Sequence, residues 1–424
     1  MGVQAKFTVH SKLLIRALRH RNYRLFFTGQ TVSMIGTWMQ DIAISWLIYQ
    51  LTGSAMMLGT VTFCSKVPGL LLGPLAGLAA DRFNKHRLII FTQSMSLLQA
   101  LLMAVLVLAN RIEVWHVMAL GTMLGCIQAF DLPARHAFIV DMVDNREDMN
   151  NAIALNSIII NAARLVGPAV AGALIALVGE GICFLLNAGS FLAVLAALCA
   201  MRIHPKTPQD GDRSVGRELC EGFTYAYTFL PIRYLFFLLW LICFLGMPYI
   251  VLMPIFADQV LGGGSYILGF LFSATGLGAV CGASFLAARP HVAGLENIVP
   301  VAAGLFGAAL AVFSQNTSVW LALGIMFFAG IGMIMHSIAT NTLLQTVVAD
   351  DKRGRIMSMY SMAFQGLTPL GSLLAGFLAE QIGAPATEGI FGFVCVLGAV
   401  LFYNHLPKMK AHMRPFTINI YANE

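Results

Sequence analysis

The chain has 424 residues, 58% of them hydrophobic and only 11% charged, with a net charge of +6. A soluble globule of that length cannot bury so much apolar surface, and so little charge would not keep it in solution, so the composition is that of a membrane protein. The positive excess suits short loops facing anionic lipid, and no nucleic-acid partner is expected.

Apolar runs long enough to cross the hydrocarbon core recur along the whole sequence with short polar breaks. Twelve are counted, near 25–49, 56–80, 88–109, 115–137, 152–178, 182–201, 234–257, 266–287, 298–313, 319–343, 356–379 and 389–406. Their continuous apolarity excludes the alternation of barrel strands, so the fold class is all-α. The first run is too long for a signal peptide, and no small-residue cleavage site follows it. Basic residues set the orientation: 23 of the 26 Lys and Arg fall on the side of the N-terminus, and only Arg111 falls in an opposite loop. Both termini are therefore expected in the cytoplasm. The eight cysteines have no CxxC spacing, so neither a disulfide framework nor a metal site is expected.

Taken in chain order, the runs differ in what they carry. "IGTWMQDIAISWLIYQ" (35–50) holds a carboxylate, Asp41, among apolar neighbours, together with Trp38, Trp46 and Tyr49. The second run holds Lys66, the fourth Asp131 with Arg135 four residues later, and the fifth Arg164. The third, sixth and ninth have no ionisable group, and the twelfth only His405 near its end. The seventh supplies Trp240 and Tyr249, the tenth His336 and the eleventh Gln365. Buried charge in hydrocarbon costs several kcal/mol unless paired or wetted, so these groups mark a polar cavity or proton path.

At about 1.5 Å per residue, Asp41 lies about 12 Å and Lys66 about 16 Å below the outer surface. They form either a titrating pair or a static salt bridge that fixes register. Arg164 falls near mid-membrane, and Asp131 with Arg135 has the spacing of an in-helix ion pair. A carboxylate beside cations is ionised at rest and gains proton affinity when a partner leaves. Asp41 is thus the expected proton acceptor, tuned by Lys66 and Arg164. Trp38, Trp46, Tyr49, Trp240, Tyr249, His336 and Gln365 are the candidate cargo contacts.

The chain repeats itself. "LVGPAVAGALIALVG" (165–179) aligns with "PLGSLLAGFLAEQIG" (369–383), placing Gly167 on Gly371, Gly172 on Gly376 and Gly179 on Gly383. "RLFF" (24–27) answers "YLFF" (234–237), Gly59 answers Gly269, and His336 falls opposite Asp131. The expected organisation is an N-terminal six-helix bundle (1–201), a cytoplasmic linker (202–232) with an amphipathic helix near 217–227, a C-terminal six-helix bundle (233–407) and a cytoplasmic tail (408–424). Two pseudo-symmetric bundles repeated in parallel suit a rocking transporter.

The loop "GLAADRFNKHR" (77–87) resembles the signature of the major facilitator superfamily, with Gly77, Asp81, Arg82 and Arg87 fitting and Asn84 standing where glycine is usual. Asn tolerates the left-handed turn expected there. "ARLVGPAVAG" (163–172) is similar to the Gly-Pro motif that antiporters of the superfamily carry in the fifth helix, with Gly167 and Pro168 intact. The stretches "GTWMQDIAISWLIYQLTGSA", "AFDLPARHAFIVDMV" and "AIALNSIIINAARLVGPAVAGALIALVGEGICFLLN" resemble a branch of bacterial exporters that includes enterobactin-type siderophore exporters and macrolide efflux proteins. The resemblance implies proton-driven export from the cytoplasm by alternating access, with the third helix of each triplet facing lipid. It also implies Gly77, Asp81, Arg82, Arg87, Gly167 and Pro168 as gating positions, the loop acting as a latch or as a plain cytoplasmic turn. The fourth helix departs from the pattern, lacking the intramembrane arginine of classical drug antiporters, and its Asp131 and Arg135 are expected from their spacing to be a gate or a structural pair.

The expected protein is a monomer of the bacterial inner membrane, meeting lipid, protons and a small amphiphilic cargo without a cofactor. A lipid or lysophospholipid flippase and a transition-metal exporter of the same fold are the alternatives. The sequence has no GxxxxGK[ST] loop for ATP and no HExxH or GxSxG centre, so an enzyme is not expected.

Overall fold

A computed structural model describes residues 16–143, 146–202, 224–289 and 294–421, and among them there is no strand. A short 3-10 helix (Arg16–Arg19) precedes twelve helices. They are α1 (Arg21–Thr52), α2 (Ala55–Arg82), α3 (Lys85–Leu108), α4 (Val114–Ile139), α5 (Arg146–Val178) and α6 (Glu180–Ala200). The second series is α7 (Leu230–Val260), α8 (Gly264–Ala287), α9 (Leu295–Phe313), α10 (Val319–Val347), α11 (Lys352–Ile382) and α12 (Ala384–Tyr421).

Eleven of them, α2 to α12, are long and apolar enough to cross a bilayer. The exception is the expected first span, a 32-residue helix diluted by Arg21, Arg24, Gln30, Gln40 and Asp41. One other expectation needs correction. The last helix begins at Ala384 rather than 389, which brings Glu388 inside it, and it runs on through the expected tail to Tyr421. Of the linker helix, 217–223 lies outside the described residues, whereas 224–228 is helical.

Proline chemistry shapes the second series. α7 carries Pro248 and Pro254 and contains two π-turns, Ile242–Gly246 and Phe256–Val260. α11 has a third π-turn, Ala363–Leu367, just before Pro369. Each proline removes an amide donor, and a π-turn lies within a few residues of each.

Two compact units emerge, one of Met1–Leu47 with Pro68–Gly211 and the other of Ile48–Val67 with Asp212–Glu424. In unit 1, Tyr23, Phe26, Ile89, Phe138, Met142, Leu155 and Leu198 join the ends of α1, α3, α4, α5 and α6 in one apolar core. In unit 2, α8 and α10 approach through glycine: a Cβ on Gly278 would lie 1.9 Å from the Phe327 carbonyl, and one on Gly330 2.0 Å from that of Thr275. Small residues let apolar helices meet backbone to backbone where no water is squeezed out to drive them together.

The sequence repeat is also a repeat of local structure. Gly179 and Gly383 both adopt positive φ, 83° and 85°, with extended ψ, at the turns before α6 and α12. Gly167 faces the Ile35 carbonyl of α1 in unit 1, as Gly371 faces the Phe244 carbonyl of α7 in unit 2.

Candidate functional site

In unit 1 the site is built on α1 and α5. Trp38 and Asp41, one turn apart, share a face of α1. A Cβ on Gly167 would stand 2.6 Å from that of Trp38, so only glycine lets α5 come this close. The approach seats Arg164 over the indole, its Cζ 5.3 Å from the Trp38 ring centroid. Guanidinium over tryptophan is the favoured cation–π arrangement, stronger where water is scarce. Asp41 is half-buried and makes no hydrogen bond or ion pair within its unit among the described residues. Pro168, buried beside Gly167, lies inside a continuous α5.

Beside Asp41, the side chain of Gln40 turns inward. Its Nε2 donates to Gln99 Oε1 on α3 at 2.9 Å, and its Oε1 accepts from Asn187 Nδ2 on α6 at 2.7 Å. Ser190 Oγ donates to Asn187 Oδ1 at 2.9 Å. Sequence reasoning passed over this wholly buried amide network because it tracked ionisable groups. The signal available was four neutral polar residues interrupting apolar runs. α3 and α6, expected to face lipid, expose Leu98, Leu101, Leu185 and Leu192 on one side and bury this network on the other.

Asp131 and Arg135 form the ion pair that their spacing suggests, at 2.6 Å. α3 completes the shell: Thr92 Oγ1 and Gln93 Nε2 donate to Asp131 Oδ1 at 2.7 and 2.9 Å. A buried pair of charges holds only when its remaining lone pairs are met in this way. Unit 2 has a neutral counterpart, with His336 of α10 buried and its Nδ1 3.4 Å from the Val299 carbonyl of α9.

The other expected contacts lie in unit 2, except Trp46, which is buried in unit 1. Lys66 and Gln365 are exposed, and Trp240 is half-buried. Tyr249 is buried edge-on to Phe306. Tyr49 Oη donates to Asp258 Oδ2 at 2.6 Å. Glu380 receives both Ser54 Oγ (3.0 Å) and the Met56 amide (3.2 Å), capping the start of α2. Sequence reasoning found no carboxylate in the second-half spans comparable with Asp41, yet Glu388 lies wholly buried in α12.

In the signature loop, Arg82 and Arg87 are exposed, Gly77 is half-buried and open beside its Cα, and the side chain of Asp81 lies outside the described residues. Asn84 is not left-handed, as its place in the motif suggested. With φ −64° and ψ 110° it is the N-cap of α3, accepting from the Arg87 amide at 3.1 Å. At the same end of the unit, Asp148 binds Arg16 and, at 3.0 Å, His20 Nε2. These hydrogen bonds, His20 first, hold the Asp148 carboxyl below the usual carboxylate range.

Long helices in two repeating series, eleven of them apolar enough to cross a bilayer, with acid, cation and aromatic groups buried within them, define a polytopic transporter of the major facilitator fold. The pattern of the transmembrane secretion effector family matches residues 15–419, and the chain belongs to that family. The Staphyloferrin A transporter of Staphylococcus aureus is 29% identical, covering 91% of this chain and 97% of its own. The Multidrug efflux pump Tap of Mycolicibacterium fortuitum is 24% identical over 88% of this chain and 93% of its own. Among solved structures, a bacterial homolog of the human lysosomal transporter Spinster, inward-facing and occupied, superposes with a TM-score of 0.71. It has 16% identity, over 92% of this chain and 97% of the other, and this shows the fold.

Proposed function

We propose that this protein exports a small amphiphilic molecule, a siderophore or drug-like compound, from the bacterial cytoplasm in exchange for protons by alternating access. One observation carries the reading: Arg164 stacks on Trp38 while Asp41 stands one turn along the same face of α1. An aromatic plate, a fixed cation and a titratable acid thus share one helix pair. Arg164 and the indole offer a seat to an anionic or aromatic cargo. Asp41 takes up a proton when the positive charge near it is engaged elsewhere, and returns it when the cation is freed. Asp131, anchored by three hydrogen-bonding partners on α3 and α4, acts as a structural pivot at the base of α4 rather than as a carrier. Lys66 tunes the outer path, and the signature loop with Gly167 and Pro168 governs the change of state. The chain acts as a monomer in the inner membrane, with both termini inside.

The names of the relatives support a chelator or drug as cargo, and the family supports secretion. The test uses purified protein in liposomes with an internal pH dye, to which staphyloferrin A or, separately, ethidium is added. Cargo-stimulated proton movement that vanishes in Asp41→Asn is expected. Proton movement unaltered by that substitution contradicts the role given to Asp41.

A further inference from the structure

The most deeply enclosed acid is not in the first helix. Glu388, in the second turn of α12, has no exposed surface, and neither carboxyl oxygen has a hydrogen-bond partner among the described residues. An ionised carboxylate so placed costs several kcal/mol with nothing to offset it, so the side chain carries a proton in this packing.

Its surroundings are tight but shallow. Gly392 and Cys395, one and two turns further on, share its face of α12. A Cβ on Gly392 would fall 2.5 Å from the Ala311 amide nitrogen and 2.7 Å from the Gly307 carbonyl, so α12 and α9 touch backbone to backbone there. The next turn back places Gly389 against Ser314, just past the end of α9. Glu388 thus closes the end of that contact, only about 6 Å along the axis from the start of α12 at Ala384.

The helices around α12 bring titratable groups but, among the described residues, no hydrogen-bond partner for Glu388. α9 has Glu296 at its far end, 3.7 Å from Lys410 of α12. α7 has Cys243, Tyr249 and Asp258, the last occupied by Tyr49. α11 has Glu380, occupied by Ser54, and α10 has His336 at the Val299 carbonyl. On α12 itself, Cys395 is within electrostatic reach of Glu388. Among the described residues no cation is paired with the carboxylate, which leaves a proton as its counter-charge. The amides at the start of the helix carry partial positive charge and favour the anion once water arrives.

We propose that Glu388 is a proton-binding site of unit 2, holding its proton while α9 and α12 are packed and releasing it to water when the end of that contact opens. The O–H bond breaks to give carboxylate and hydronium, and the reverse step refills the site from hydronium. The inference deepens the exporter reading, on which it rests for the link between this proton and cargo.

Infrared difference spectroscopy of the full-length protein in phosphatidylethanolamine–phosphatidylglycerol liposomes tests it. On moving from neutral to alkaline buffer, the wild type should lose a protonated-carboxyl C=O band that shifts in D2O. Glu388→Gln should lack the change, and Glu388→Asp should restore it at a displaced frequency. An unchanged band in Glu388→Gln, or a wild-type band indifferent to alkali and D2O, overturns the proposal. In the same liposomes, Glu388→Gln should keep downhill staphyloferrin A exchange but lose accumulation driven by a pH gradient; full accumulation overturns the coupling. A wild-type band with no cargo-stimulated proton movement sinks the exporter reading and leaves the proton site standing.

Discussion

Asp131 shows how much one side chain can hold. It is nearly wholly buried, bonded to Thr92, Gln93 and Arg135, and it ties α3 to α4. Replacing it with asparagine strands a guanidinium, which should destabilise the protein by about 3 kcal/mol, read by denaturant unfolding in detergent. Removing both charges with Asp131→Asn and Arg135→Gln should recover part of that loss. Asp148 makes the opposite kind of prediction, about pH. Its carboxyl is depressed, so its contribution to stability is full above the unfolded carboxylate range and fades as pH falls below about 4. Thermal unfolding should weaken on acidification across that window, and Asp148→Asn should flatten the dependence. Of these residues, Asp131 and Arg135 were legible, because four-residue spacing on a helix is itself a geometric statement. Glu388 was not, since its neighbours Pro385, a helix breaker, and Thr387, a polar residue, blur the start of the apolar run. The amide network linking Gln40, Gln99 and Asn187 spans three helices that no local pattern connects.

Among elements, the contact of α1 with α5 is the most demanding. Gly167→Val inserts methyl groups where a single Cβ already meets Trp38 and the Ile35 carbonyl. The strain should cost about 1–3 kcal/mol and lift Arg164 from the indole, seen as a change in Trp38 fluorescence with a lowered melting temperature. Helix existence and order were legible throughout, because long apolar runs admit few other structures in lipid. The π-turns of α7 and α11 were not, although Pro248, Pro254 and Pro369 stood nearby. Proline announces a lost amide donor but does not say whether the backbone will kink or widen. The Asn84 cap was misread for a similar reason: one residue type serves both left-handed turns and N-caps, and only φ separates them.

For the whole molecule, the two sequence copies and the two compact units do not share a boundary. Ile48–Val67 belongs to the first copy by sequence but packs in unit 2, where Gly376 lies against Gly59 and Glu380 caps α2. The alternating access proposed above would require that contact to break in each cycle. Cysteines at Ser54 and Glu380, joined by a short bifunctional thiol reagent, should therefore arrest staphyloferrin A flux while the uncrosslinked double variant still transports. The repeat itself was legible, as the matching conformations of Gly179 and Gly383 attest; its division into units depends on contacts far apart in sequence. The central claim is that the acid of α1 trades a proton for cargo beside the stacked Arg164 and Trp38. Its most direct measurement is internal pH in liposomes during staphyloferrin A transport, comparing wild type with Asp41→Asn. Cargo-dependent proton flux in the first and none in the second, with the fold intact, is the result expected. Equal flux in both would contradict the account.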